Sequence, residues 1–474
     1  MQMTAKKSLA SKFIGDKAFY KMVLAVAVPI MVQNGISNFV GLLDNIMVGQ
    51  TGTEQMSGVA IVNQLFFVYY LCIFGGLAGA GIFTAQYFGT KDYEGIRTTF
   101  RFKFWMGLVI TFGALVIFTL FGKNLIFTYL QGSNDGGDIM LALKAGESYM
   151  RLMLIGFMPF MFLQVYAGVL RECGETVIPM KAGIIAVLVN LVFNYILIYG
   201  HFGFPAMGVN GAAIATVISR FVEVGIVIIW TTKNREKCRY LDGVFSTLRV
   251  PMNLVRKYFI TSIPLLLNET LWSTGFALLT QCYSKRGLNV VAGYNIAGTI
   301  NNLFNVIFFA MGDAIAIIVG QLLGAGKMEE ARDTDNKIIA FGVFCGALSG
   351  LMAASVSGIF PLIYKTNPEA RHIATLFILV QALFTPQMAF LHSSYFTLRS
   401  GGRTMITFIF DSVFMWCISV PTAYVISRYT DINAILMYAI VQAVEISKVI
   451  IGFILLKKGT WMRNIVRKEN LERT

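Results

Sequence analysis

Three polar residues interrupt apolar runs of this chain in a pattern that suggests ion chemistry. Asp44 is the only carboxylate in the apolar run 20–48, and Asn190 and Asn194 stand four apart in the otherwise apolar segment Leu188 to Ile198. An i, i+4 spacing stacks two side chains on one helix face, and two amides buried there cost free energy unless they find partners. A carboxylate facing two amide oxygens makes a small set of hard oxygen ligands suited to sodium, or a pocket that holds a protonated acid. The competing reading of the asparagine pair is hydrogen bonding between helices, which is common and weak in membranes. For Asp44 it is a solvated acid near a helix end, since the residue lies roughly 33 Å along a helix starting near Met22.

A second group of acids lies further along. Glu269 falls near the middle of the run 255–283, beside the helix-weakening Pro264 and next to Asn268. Asp313, in the run 291–323, and Asp411, in the run 404–427, are further acids able to bind a coupling ion or a cationic substrate. Ionisable groups are expensive inside a bilayer and are kept there chiefly for function. Arg220 with Glu223, and Glu445 with Lys448, have the i, i+3 spacing of local ion pairs. His392 is titratable, but beside Ser393 and Ser394 it reads as a hydrogen-bonded residue. The 39 Phe and 23 Met suit a pliable cavity for flat cations.

The elements that position these residues follow from composition. The chain has 474 residues, 56% of them hydrophobic and 14% charged, with mean hydropathy +0.66. That is too much apolar surface for a water-soluble core. Apolar runs fall near 20–48, 57–88, 99–122, 145–170, 177–200 and 209–232, then 255–283, 291–323, 338–364, 373–398, 404–427 and 433–456. Since a helix crosses the hydrocarbon with about 20 residues, an all-α integral membrane protein of twelve transmembrane helices is expected. The division is an N-terminal lobe over 1–232, a linker over 233–256, a C-terminal lobe over 257–457 and a tail over 458–474.

The net charge of +14 is dispersed among short connections, which argues against nucleic acid as a partner. Lys6, Lys7, Lys12 and Lys17, the run Lys233, Arg235, Lys237 and Arg239, and the tail from Lys457 fall on one side of a twelve-span topology. Both termini and the linker are therefore expected to be cytoplasmic, the linker as an amphipathic connector on the anionic leaflet. The first run is too long for a signal-peptide core. The six cysteines are scattered without a CxxC pair, so neither a disulfide framework nor a zinc site is indicated. No GxSxG, HExxH or phosphate-loop pattern occurs, so no enzyme is expected, and no cofactor.

The halves are internally repeated. The segment after Pro29 aligns without gaps on that after Pro264, matching Gly52 with Gly287, Gly58 with Gly293, Gln86 with Gln321, Gly89 with Gly324, Glu94 with Glu329 and Arg97 with Arg332. Further on, Leu170, Arg171, Gly174 and Thr176 match Leu398, Arg399, Gly402 and Thr404. Six spans per copy run both copies the same way through the membrane, the parallel-repeat plan of many secondary transporters. The acids are not duplicated: Asp44 aligns with Leu279 and Glu269 with Asn34.

Several of these residues together resemble the multidrug and toxic compound extrusion (MATE) family. They are Pro29 with Asp44-Asn45-Ile46-Met47-Val48-Gly49, Gln86-Tyr87-Phe88-Gly89, Leu170-Arg171-Glu172-Cys173-Gly174-Glu175-Thr176, Gly208-Val209-Asn210-Gly211-Ala212-Ala213 and Val319-Gly320-Gln321-Leu322-Leu323-Gly324-Ala325. The resemblance implies two six-helix lobes forming a V, and antiport of cationic or amphiphilic compounds, drugs and toxic compounds among them, against inward Na+ or H+ by alternating access. It places Asp44, Asn190 and Asn194 at the family's N-lobe cation site, with Asn194 where some members carry a second Asp, and Glu269 at a C-lobe acid of the sodium-driven branch. The C-lobe partner Asp of that branch is replaced here by the run Pro386, Gln387, Met388. A monomer in a bacterial inner membrane is expected. A flippase for a lipid-linked glycan or precursor is the alternative, although anionic headgroups call for several cavity arginines and the candidate groups here are mostly acidic.

Overall fold

The structure is a computed structural model that describes residues 12–131, 138–364 and 366–467. Seven helices make up the first half: α1 Lys17–Gly49, α2 Thr53–Thr90, α3 Tyr93–Gln131, α4 Ile139–Ile155, α5 Phe157–Glu172, α6 Val177–Tyr199 and α7 Val209–Lys233. The second half holds α8 Met252–Ser284, α9 Leu288–Gly324, α10 Met328–Val356, α11 Pro368–Ser400, α12 Thr404–Phe408, α13 Val420–Tyr429 and α14 Ala434–Lys458. No strand occurs among the described residues. Side-chain oxygens set several helix starts, Asp138 capping α4, Asn367 α11 and Asn433 α14, because each accepts from an otherwise orphaned first-turn N–H.

Among the described residues, ten helices are long and apolar enough to cross a membrane, or eleven when α4 and α5 are taken as one span. That pair covers the run 145–170 and is bent by 45° at Gly156. The remaining long helix, α8, spans 33 residues, but Asn268, Glu269 and Gln281 lower its hydropathy. Apolar side chains also face outward. On α3, Val109, Phe112 and Leu120 are 68%, 66% and 67% exposed, a stripe that water would penalise and that lipid tails accept.

The described residues pack as two compact units. The N-terminal unit comprises Val32–Thr84 and Tyr93–Ser262. The C-terminal unit comprises the described residues of Met1–Met31, Ala85–Asp92 and Ile263–Thr474. Matched glycines of the repeat do equivalent work in them. In the N-terminal unit, a Cβ on Gly58 of α2 would stand 2.9 Å from the Gly146 nitrogen of α4. In the C-terminal unit, one on Gly293 of α9 would stand 3.0 Å from the Ala374 nitrogen of α11. Gly146 precedes Arg171 by as many residues as Ala374 precedes Arg399, so one close helix contact has been kept twice. Within the C-terminal unit, Gly89 meets the Gln321 carbonyl and Gly324 meets the Gln86 carbonyl. The ends of α2 and α9 thus cross reciprocally where no side chain fits.

The linker is an irregular strap with a short 3-10 turn at Arg239–Leu241. It is tied to α3: Arg97 donates to the Arg239 carbonyl at 3.1 Å, Arg101 to that of Val244 at 2.9 Å and Trp105 to that of Leu248 at 3.0 Å. Cys238, Tyr240 and Leu241 are buried against this unit. The six cysteines are all free.

Candidate functional site

In the N-terminal unit the site is built on the inner face of α6. Its buried residues Pro179, Ala182, Gly183, Ala186, Asn190, Asn194 and Leu197 recur every three or four positions, while Ile185, Leu188, Val192 and Tyr195 lie exposed on the opposite face. This is the period of a helix with one packed stripe, and both asparagines belong to the stripe. Asn194, 1% exposed, donates from Nδ2 to Asp44 Oδ1 at 2.6 Å and to Asn190 Oδ1 at 3.1 Å. Asn190 in turn donates to Thr216 Oγ1 on α7 at 3.2 Å. Two acceptors facing one Nδ2 fix the orientation of the Asn194 amide. Its oxygen is left buried with no hydrogen-bond partner.

A neutral relay therefore ends at one carboxylate. Arg220 of α7 is near enough to act on Asp44 electrostatically, and its Nη1 is held by Glu223 at 3.2 Å. The guanidinium also lies over the Phe160 ring, 5.2 Å from its centroid. The approach of α7 to α6 depends on Gly211, whose missing Cβ leaves room for the Leu197 backbone.

A second cluster lies in the C-terminal unit, on α8, α11, α14 and the segment between α12 and α13. Tyr395 donates to Glu269 Oε1 at 3.1 Å. Asn268 donates to Asp411 Oδ2 at 3.1 Å and accepts on Oδ1 from the Ser412 hydroxyl at 2.7 Å. Lys448 Nζ reaches Asp411 Oδ1 at 2.7 Å and Glu445 Oε2 at 3.7 Å. Ser419 donates to Glu445 Oε1 at 2.6 Å. The charge of the buried Arg399 bears on Glu269.

The structure thus gathers Asp44, Asn190 and Asn194 in one place and Glu269 and Asp411 in another, joined through Asn268 and Tyr395. Asp313 sits half-buried on α9, next to Gly312, which packs against His392 and Phe396. His392 lies among aromatic rings, 4.7 Å from Phe309 and 4.9 Å from Phe396 between centroids. The Arg220–Glu223 pair is local, as its spacing indicates. Lys448, by contrast, is closer to Asp411, on another helix, than to Glu445.

Two buried polar contacts went unmarked by the sequence. Lys103 of α3, 1% exposed, pairs with Glu172 of α5 against Gly81. Asp335 of α10, also 1% exposed, accepts from Thr397 of α11 at 2.6 Å. Lys103 follows Arg101 at the start of its helix, and Asp335 follows Glu329, Glu330 and Asp333. Neither stands out in the sequence beside those charges, and only the neighbouring helices show them to be enclosed.

A chain of long apolar helices, duplicated in scaffold and carrying half-buried acids on packed faces, has the build of a membrane transporter. Its sequence matches the MatE family over residues 29–196 and 264–425, and the chain belongs to that family of multidrug transporters. It is 25% identical over 456 residues to a Thermotoga maritima protein named "Probable multidrug resistance protein NorM", covering 94% of each chain. Solved structures share the fold. A multidrug resistance MATE family transporter of the MOP superfamily in an outward-facing conformation matches with TM-score 0.81 at 19% identity, over 97% of this chain and 99% of that one. A mutant of the Vibrio cholerae transporter VcmN matches with TM-score 0.83 at 15% identity, over 96% and 99%. A MOP-superfamily transporter from Pyrococcus furiosus, described as having a binding pocket of reversed polarity, matches with TM-score 0.79 at 20% identity, over 97% and 99%.

Proposed function

We propose that the protein exports cationic or amphiphilic small molecules by antiport against Na+ or H+, with Asp44 coupling the ion to the cycle. The observation that carries this reading is the buried, unpartnered Oδ1 of Asn194 beside the Asp44 carboxylate. A donor-free oxygen next to a single acid is a poor arrangement for an empty apolar helix interface. It suits a small monovalent cation held by oxygens. It also suits a proton on Asp44, which would turn the carboxylate into a donor.

Coupling then needs only that loading this site changes the relative stability of the inward and outward states, because an ion shifts a conformational equilibrium by its difference in affinity for them. In this reading the chain works as a monomer in the inner membrane with both termini in the cytoplasm, as the placement of its basic residues suggests. The alternative of flipping an anionic lipid-linked precursor is less favoured, because the buried lysines are already matched by acids, Lys103 by Glu172 and Lys448 by Asp411.

The test is efflux of a fluorescent cation from proteoliposomes under separately imposed sodium and proton gradients. Efflux should follow one of them. Equal rates with both gradients collapsed would overturn antiport, and transport of an anionic glycolipid in the same vesicles would favour the flippase.

A further inference from the structure

We infer that Lys448 is a resident cation for the Asp411–Glu445 pair, which closes that pair to any coupling ion and confines ion exchange to sites that lack such a tether. The inference deepens the antiport reading and rests on it only for its transport arm.

All four carboxylate oxygens of the pair are already engaged. Asp411 Oδ1 faces Lys448 at 2.7 Å and Oδ2 faces Asn268 at 3.1 Å. Glu445 Oε2 faces Lys448 at 3.7 Å and Oε1 faces Ser419 at 2.6 Å. Lys448 is 7% exposed, and its ammonium lies over the rings of Phe410 and Phe414, 5.2 and 5.8 Å from their centroids. Two acids and two ring faces therefore take the place of its water. A sodium ion or a proton entering here would have to displace a cation covalently held at the site.

The backbone is shaped for this contact. Between α12 and α13 the chain makes two π-helical segments, Ile409–Val413 and Met415–Ser419. The first contains Asp411 and the second ends on Ser419, the two groups that meet Lys448 and Glu445. A π turn widens the helix by a residue and re-aims side chains, and it occurs mostly where a site needs it. The neighbouring charges are Glu269, bonded to Tyr395, with Arg399 acting on both Glu269 and the half-buried His392. None of the hydrogen bonds described for these residues reaches Lys448.

The experiment measures bound monovalent cations on the purified full-length protein, by equilibrium binding of radioactive sodium and by proton uptake with a pH indicator. Lys448→Gln is expected to bind one more cation per chain, as Na+ or as a proton, than the wild type, and Lys448→Arg the wild-type number. An unchanged count in folded Lys448→Gln overturns the inference. Removing one partner of a buried pair can prevent folding, so the charge-neutral double variant Lys448→Gln with Asp411→Asn is measured beside it. That variant should bind the wild-type number of ions and keep the wild type's dependence on the imposed gradient, whatever its rate; fewer bound ions would make Asp411 itself a coupling group and overturn the inference. Failure of both Gln-containing variants to fold while Lys448→Arg folds would make the lysine a structural cation only, and also overturns it. Because binding is read apart from dye efflux, a wild type that ignores both gradients would sink the antiport reading and leave this one standing or falling on its own count.

Discussion

The Asp44 cluster and the Asp411 cluster are built on duplicated helices yet differ in their electrostatics. Around Asp44 the hydrogen-bonded relay is of neutral amides and a hydroxyl, the charge of Arg220 that also bears on it is paired with Glu223, and a buried oxygen on Asn194 remains uncommitted. Around Asp411 a lysine and a second acid close the set, with every oxygen of the pair facing a partner. The packing has been conserved between the halves while the site acids have not. Gly58 and Gly293 make the same close helix contact, whereas neither Asp44 nor Glu269 has an acid at its repeat partner. Backbone approach leaves no room for substitution, but a carboxylate on a packed face can be exchanged for leucine if its role is lost.

The comparison can be broken most directly at Asp44. Asp44→Asn should fold normally and lose ion-driven efflux by roughly a hundredfold, the equivalent of about 3 kcal/mol of ion binding at that carboxylate; efflux at the original rate would sink the assignment. Asn194→Leu removes the uncommitted oxygen and one donor to Asp44, and ion affinity in the same vesicle assay should fall by about tenfold. If it does not, the amide serves helix packing alone.

Packing rather than ion chemistry is probed at the crossing of α2 and α9. Gly324→Ala forces a Cβ onto the Gln86 carbonyl and should cost about 1–3 kcal/mol, seen as a lower midpoint in thermal unfolding with the ion dependence of the surviving protein unchanged. Smallest of all, Tyr395→Phe deletes one hydrogen bond to Glu269, worth about 1 kcal/mol. It should shift the unfolding midpoint slightly and leave the ion that drives efflux the same.

Much of this protein is short-range information. Apolar runs of span length, the repeat, and the i, i+4 placement of Asn190 and Asn194 on one face follow from helix geometry and from burial, so residues close in sequence suffice to see them. Even the glycines at 89 and 324 are visible as matched letters, though not the carbonyls they accommodate.

The tertiary structure decided which faces meet. Lys448 reads locally as a partner of Glu445, three residues away, but its nearer acid is Asp411 on another helix, brought round by two π turns that no periodicity signals. Lys103 and Asp335 stand among other charges in the sequence, and only the structure shows them enclosed by α5 and α11. The 45° bend at Gly156 divides a run that is continuous in hydropathy. In each case the outcome depends on the rotation and register of one helix against another, which are set by the summed packing of many side chains, whereas the composition of a single helix determines only that it is long, apolar and marked by a few polar groups it cannot satisfy alone.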